Sequence, residues 1–480
     1  MPTLVLRAPL VFEAGFAAIR RQLDVPSGFP VEVLDEAEWT VPSIGSDHRR
    51  DARHLPLVAI DPPGATDLDQ AFAAERRGDG YRVHYAIADV GDFVRPGEAL
   101  DHEARRRGTT LYCPDLRAPL HPPRLSEDRA SLLPGDHRPA LLWTIELDGD
   151  GEPTSWHLER AVVEIRAAIS YTRAQSLIDG AAAGRPARLE GNDLALLAEI
   201  GRLRQAREAD RGGVSLNLPT QEIVATDHSY ALGFDRPLPV EDWNAQISLL
   251  TGMVAARTMV AAGVGVLRTL PPPSPEAVAE LRRTAAALRL DWPDDTDYAA
   301  FVRHLVPDRE PVNAFLVQAT RVLRGAGYTA FSHGAPAGAD HSAIASVYAH
   351  VTAPLRRLVD RFGNEILLAL HAHREPPTWA LEALDELPSL MGRARQRESA
   401  LERALLDFAE AVVLERSVGQ VFPGLVVDVD DERKRARIQI AEPAVVADIE
   451  ADGVELAQQV RLELTAVDAD TRTVRFELVG

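Results

Sequence analysis

The chain has one cysteine, Cys113, in 480 residues. That excludes an intrachain disulfide framework and favours a reducing compartment. Lysine is as scarce: of 52 basic side chains only Lys434 is not an arginine. Any phosphate contact must then come from arginine forks, backbone N–H groups or a metal ion. No run approaches the ~20 apolar residues that span a bilayer. The opening MPTLVLRAPLVFEAG is apolar but broken by Arg7 and Glu13, and lacks the charged start and long apolar stretch of a secretory signal. A soluble cytoplasmic protein is expected. Positive charge is short overall, with a net charge of −20 and a pI of 5.2. Such a surface does not coat nucleic acid, though a basic interior channel stays compatible with it. What is present is an ordinary 46% hydrophobic share, enough for a sizeable core. The length suggests about two to four domains.

FEAGFAAIRRQL and FPVEVLDEAE read as short amphipathic helices parted by a Pro/Gly break, and SDHRRDAR as a polar linker. LPLVAI reads as a buried strand. AFAAERR and YRVHYAIADV form a hairpin about Gly-Asp-Gly, and LLWTIELDGDGEPTSWHLERAVVEI a second. Proline punctuates CPDLRAPLHPP, which suits an irregular surface loop. From Asn192 helical periodicity dominates: DLALLAEIGRLRQARE, ISLLTGMVAARTMVAAG, PEAVAELRRTAAALRL and one long stretch from PPTWALEALDE to AEAVVLER. After Gly419 four short β-rich runs, GLVVDVDD, RARIQI, QVRLELTAVD and TVRFELVG, suit a small closed barrel. The class is α+β and multidomain.

One loop carries chemistry. DPPGATDLDQ follows the LPLVAI strand and sets Asp61, Asp67 and Asp69 close together before Gln70. Carboxylates so placed repel unless a cation or N–H donors hold them. Hard oxygen ligands suit magnesium or manganese rather than zinc, and the EF-hand pattern is absent. A solvated acidic turn, with Asp61 capping the proline segment, would explain the same spacing.

The wider text resembles the ribonuclease II family. IDPPGATDLDQAF is similar to its I-D-P-x-x-A-x-D-L-D-D-A signature. The match continues through YRVHYAIADVGDFVRPGEALDHEARRRGTTLYCPDLRAPLHPPRLSEDRASLLPGDHRPAL, GVGVLRTLPPPSPEAVAELR and YAHVTAPLRRLVDRFGNEILLALH, covering roughly residues 51–417. The resemblance implies a mixed α/β RNB catalytic domain over residues 51–417. It implies a C-terminal OB-fold RNA-binding barrel over 418–480. Residues 1–50 are too few for a cold-shock domain; a short helical module, helix-turn-helix-like, or a plain helical lead-in is expected there. The implied activity is hydrolytic 3′→5′ degradation of single-stranded RNA to nucleoside 5′-monophosphates. Magnesium is the implied cofactor, manganese its alternative, and a monomer without membrane contact is expected.

By the same resemblance Asp61, Asp67, Asp69 and Gln70 hold metal, Asp69 most closely tied to catalysis. Gln70 departs from the usual aspartate: it keeps a carbonyl oxygen but loses a charge. Arg356 would neutralise the scissile phosphate, a task for a planar fork. Arg357, Tyr348 and Thr352 line or brace the site, and His350 is read as structural. Tyr112 and Tyr171 match aromatics that stack on bases regardless of sequence. Glu402 aligns with a glutamate near the RNA. Leu216 stands where a stacking phenylalanine is usual and Gln246 where a glutamate meets ribose, so the grip on the last nucleotides is looser. The rival reading is a catalytically weakened RNA-binding protein; a third is a phosphodiesterase of small nucleotides. In the barrel, KRAR at 434–437 is basic among acids, and Phe422 and Phe476 both suit the core.

Overall fold

Strands with bulky and small side chains on alternate faces need cover on both sides, and the central sheet is built that way. The computed structural model describes residues 9–42, 49–180, 189, 194–215, 220–225, 230–235, 237–305, 310–323, 325–430 and 433–479. Seven strands run in the order Arg50–Asp51, Pro153–Glu164, His137–Leu147, Gly80–Ala88, Gln70–Arg77, Val58–Asp61, Ala167–Ser170. The two outer pairings are parallel and the others antiparallel. Tyr81, Val83, Tyr85, Ile87, Trp143 and Ile145 fill one face, while Ala71, Ala73, Ala86, Ala88 and Ala140 admit close packing on the other. The two-residue turn at Gly78 and Asp79 needs φ +57° at Gly78, which glycine takes without strain. Arg50 and Asp51, expected in a polar linker, join the sheet edge beside Ala161 and Val162. Both are exposed, and backbone pairing is joined by an ion pair from Arg50 Nη1 to Glu159 of the neighbouring strand at 2.8 Å.

The N-terminal helices α1 (Pro9–Gln22) and α2 (Val31–Trp39) exist as expected. They do not share one core. Phe12, Phe16 and Ile19 of α1 bury against Phe408 and Leu405, whereas Val33 and Ala37 of α2 pack with Leu57, Phe93 and Leu100 on the sheet side. Each amphipathic helix follows the nearest apolar surface, so the two helices pack into different cores. Gly15 of α1 meets Phe408: a Cβ there would lie 1.9 Å from its Cζ. Gly15→Leu is expected to detach α1, seen as faster limited proteolysis near the N-terminus with little change in the sheet core.

Helices α3 (Ala99–Arg107), α4 (Tyr171–Ile178), α5 (Leu194–Asp210) and α6 (Pro239–Ala262) follow. Pro239 opens α6 and the Glu241 carboxylate accepts the Leu238 N–H at 2.8 Å; Gly263 closes it at φ +74°. By length and composition α6 could cross a membrane, but Trp243, Ile247, Leu250, Met253 and Val254 are buried in the protein's own core. Helices α7 (Pro275–Ala287), α8 (Tyr298–His304) and α9 (Glu310–Ala319) enclose a smaller core about Trp292, Phe301 and Phe315. After α10 (Leu358–His371), the expected long helix is two, α11 (Thr378–Ala383) and α12 (Leu387–Leu414). Pro388 explains the break: lacking an N–H, it fits only the first turn of a helix.

The C-terminal barrel has five strands, Val421–Asp430, Arg435–Ile440, Val445–Glu450, Gln459–Asp468 and Thr473–Leu478. Their order is third, second, first, fourth, fifth, all antiparallel, as in an OB or S1 fold. Phe422 and Phe476 meet inside it with ring centroids 6.0 Å apart. The basic strand is neutralised from its neighbour: Arg437 Nε lies 2.8 Å from Asp448, and Lys434 Nζ 2.6 Å from Asp452.

Candidate active site

One end of the sheet gathers the aspartate loop. Gly64 turns it at φ +80°. Asp61 ends its strand opposite Ser170, so Tyr171, first residue of α4, sits at the same end. Burial pushes the Asp61 carboxyl up to about 7; Arg356 opposes this and Asp67 adds to it. Its Oδ2 is buried without a hydrogen-bond partner. Asp69 is only 3% exposed. The Leu355 N–H donates to its Oδ1 at 2.8 Å, and Arg356 Nε lies 3.3 Å from Oδ2. Burial outweighs both and raises the Asp69 carboxyl to about 8. Asp67 turns to other partners: Arg117 Nη1 donates to Oδ1 and the Tyr112 hydroxyl to Oδ2 at 3.4 Å. Gln70 opens its strand, buried on the face shared with Phe72 and Ala74, and its Oε1 has no partner.

The arginines come from the turn before α10. Asp360 accepts from Arg357 Nη2 and from the Ala353 N–H, at 2.8 and 2.7 Å, which locks Arg357 in place. Arg356, 45% exposed in its side chain, reaches from the same turn to Asp69. Between this turn and α12 lies a cavity of about 440 Å³. Tyr112, Arg268, Tyr328, His350, Arg356 and Arg357 line it, with Arg395, Glu398 and Glu402 across from them. The Tyr328 hydroxyl lies 2.7 Å from His350 Nδ1. Burial and the nearby arginines hold His350 well below the usual histidine range, so it is a neutral brace. Tyr348 is buried against it, ring centroids 5.4 Å apart, and Thr352 is buried in the same segment. Glycine at 252 of α6 permits this: a Cβ would lie 2.2 Å from the Tyr348 ring.

Asp61, Asp67, Asp69, Tyr112, Arg356, Arg357 and Glu402 thus surround one region, with Tyr171 beside Asp61. Tyr171 is bonded to Asn244 of α6, and burial raises its hydroxyl to about 12. Gln246 is placed elsewhere. Its Nε2 donates to Glu208 at 2.5 Å beside a second cavity of about 270 Å³. Two residues on a helix point roughly opposite ways, so Asn244 takes the aspartate side and Gln246 cannot. Leu216 lies outside the described residues. Sequence reasoning missed Arg117, Arg268, Tyr328, Asp360 and Arg395. The R-x-x-D spacing of Arg357 and Asp360 carried a signal at a helix start; the others meet the site through long-range contacts.

The donor set fits a hard divalent cation: carboxylate and amide oxygens, with Asp61 Oδ2 and Gln70 Oε1 unused. Burial makes charged Asp61 and Asp69 costly unless a cation stands near. Among the described residues no three histidine, cysteine, aspartate or glutamate side chains converge on one point, because Asp67 faces Arg117 and Asp69 faces Leu355 and Arg356.

The sheet, the acidic loop and the closing barrel define an RNB-type architecture. The RNB domain family matches residues 49–372, and the RNase II-type exonuclease C-terminal S1 domain family matches 420–479. The chain belongs to the RNB-domain family. Ribonuclease R of Escherichia coli (strain K12) is 27% identical over 487 residues, covering 92% of this chain and 58% of that protein. Exosome complex exonuclease RRP44 homolog A of Arabidopsis thaliana is 30% identical over 356 residues, 70% of this chain and 37% of that protein. The chain therefore spans about three fifths or less of the length of these two relatives. Mycoplasma genitalium RNase R in complex with ribose-methylated single-stranded RNA superposes with a TM-score of 0.87 at 18% identity, over 98% of this chain and 78% of that one. Yeast Ssd1, described as a pseudonuclease, superposes at 0.70 and 17% identity, over 97% and 58%. These likenesses concern the fold.

Proposed function

We propose that the chain is a hydrolytic 3′→5′ exoribonuclease that shortens single-stranded RNA to nucleoside 5′-monophosphates. The reading is carried by one juxtaposition: an acidic loop of hard oxygen donors, an exposed arginine and an exposed tyrosine beside an arginine-rich cavity. Of the four expected ligands, Asp61, Asp69 and the Gln70 carbonyl oxygen would hold magnesium, with manganese as alternative, while Asp67 is paired with Arg117 and Tyr112. Such an ion supplies an activated water and stabilises the leaving oxygen. Arg356 takes charge that develops on the scissile phosphate, and Asp69 orients its guanidinium. Arg357, locked by Asp360, adds fixed positive potential. Tyr112 and Tyr171 stack on terminal bases of any identity, and cavity arginines draw the backbone inward although the outer surface is acidic. A monomer working in the cytoplasm completes the proposal.

A second reading has its own support. Gln70 is neutral, Asp67 is already neutralised, and one structural neighbour is a pseudonuclease. A catalytically weakened RNA-binding protein would look similar. Incubating the full chain with 5′-labelled oligoadenylate and magnesium separates the two. A ladder of shortened products, abolished by EDTA, is expected. Retarded but intact RNA would favour the binding reading, and preference for dinucleotides would favour a small-nucleotide phosphodiesterase.

Gln70→Asp gives a graded check. If this position faces the ion, the added charge is expected to lower the magnesium concentration for half-maximal rate about tenfold, equivalent to about 1.4 kcal/mol. If it does not, a new buried carboxylate lowers thermal stability without shifting the magnesium dependence.

A further inference from the structure

Arg117 occupies a place in the acidic loop that no feature of its own sequence announces. It stands directly across a two-residue ribbon from Tyr112, in the pair Leu111–Tyr112 and Arg117–Ala118. Its guanidinium donates to Asp67 Oδ1 through Nη1 and to Thr66 Oγ1 at 2.8 Å through Nη2, and it lies 3.3 Å from Glu127 Oε1. Thr66 in turn donates to Glu127 Oε2 at 3.1 Å. The other oxygen of Asp67 accepts the Tyr112 hydroxyl. Both oxygens of Asp67 are therefore committed to the ribbon, whereas Asp61 Oδ2 and Gln70 Oε1 remain unused.

We infer that Arg117 is a built-in cation standing in for one of two divalent ions, so that the loop binds a single divalent ion. This rests on the metal-dependent reading above. The charge count supports it. With the carboxylates ionised, Asp61, Asp67, Asp69 and Glu127 bring four negative charges, and Arg117 and Arg356 return two positive ones. One divalent ion takes this group from −2 to 0. A second ion would leave +2, with Gln70 contributing no charge against it, and like charges brought together in a partly buried site repel. Arg117 also ties Asp67 to the ribbon that carries Tyr112, so the cation that replaces an ion fixes the position of the stacking tyrosine. Arg117 is a positioning residue on this account.

Counting bound ions tests this without reference to turnover. The full chain is titrated with Mn²⁺, and free Mn²⁺ is read by electron paramagnetic resonance in the absence of RNA. The wild type is expected to bind one ion per chain. Arg117→Gln, which frees Asp67, is expected to bind two, and Arg117→Lys, which keeps the charge, one. Circular dichroism and thermal melting confirm that each variant is folded; if Arg117→Gln does not fold, the wild-type and Arg117→Lys counts decide. Two ions in the wild type, or one in a folded Arg117→Gln, overturn the inference and leave the metal-dependent reading standing. No ion in any form overturns that reading itself.

Discussion

Asp69→Asn is expected to lower the rate of RNA shortening by at least about 10³-fold while RNA binding changes little. Asp69 is where two distant parts of the chain meet. Its Oδ1 accepts the Leu355 N–H and its Oδ2 holds Arg356. Asparagine can keep the first bond through its own oxygen, but it turns an NH₂ group toward the guanidinium and removes the charge that would hold a cation. Both the metal donor and the orientation of Arg356 are lost together. Folding is not the cause of the loss, because burial penalises the Asp69 carboxylate by more than Arg356 and the Leu355 N–H return. The variant is therefore expected to melt at or above the wild type in metal-free buffer. Single-turnover rates on labelled oligoadenylate, with filter binding and a thermal melt, check the three parts. A variant that keeps more than about a tenth of the rate would remove Asp69 from the chemistry.

The loop was legible because its residues are contiguous. Asp61, Asp67, Asp69 and Gln70 lie on one short connection between two strands, which keeps their backbones together even though Asp67 turns its side chain to Arg117 and Asp69 to Leu355 and Arg356. Arg356 and Arg357 were legible as a motif. Arg117 was not, since its partner is fifty residues away and its own surroundings read as an irregular proline loop. Gln246 shows the limit of motif transfer: the helix was foreseen, but not which of its faces looks toward Asp61. Among elements, Val445–Glu450 was missed because VVADIE is short and one-third acidic, and pairing with Arg435–Ile440 neutralises it as a strand. Pro388 and the divided N-terminal helices follow the same logic. Local pattern determines what forms, and long-range apolar surface determines where it docks.

Asp101→Ala is expected to destabilise the protein by about 3–5 kcal/mol, the cost of stranding a buried charge. Asp101 of α3 and Arg361 of α10 are both buried, 260 residues apart in sequence, and the Arg361 Nη2 donates to Asp101 Oδ1. The Gly97 N–H adds a bond to Oδ2 at 2.9 Å, and Arg105 Nε lies 3.2 Å from both oxygens. Arg361 also donates to the Val94 carbonyl at 3.1 Å and stacks over Phe362 at 4.7 Å. Alanine leaves that buried guanidinium without its hydrogen-bonded counter-charge, with the Val94 carbonyl and a weaker attraction to Glu365 in its place. Because α10 begins just after Arg356 and Arg357, the damage should also loosen the active-site turn, so activity falls near the melting midpoint before global unfolding. Double substitution, Asp101→Leu with Arg361→Met, is expected to recover most of the stability, since a packed apolar pair avoids desolvating two charges. The pH dependence has a definite sign. Burial alone would raise the Asp101 carboxyl, but Arg361, the Gly97 N–H and Arg105 together hold it below its usual 3.8. Its contribution is thus fully present above that value and is lost as pH falls through the lower folded-state value. Urea unfolding across acid pH should show this component in the wild type and not in Asp101→Ala; the same acid slope in both would place the stabilising charge elsewhere.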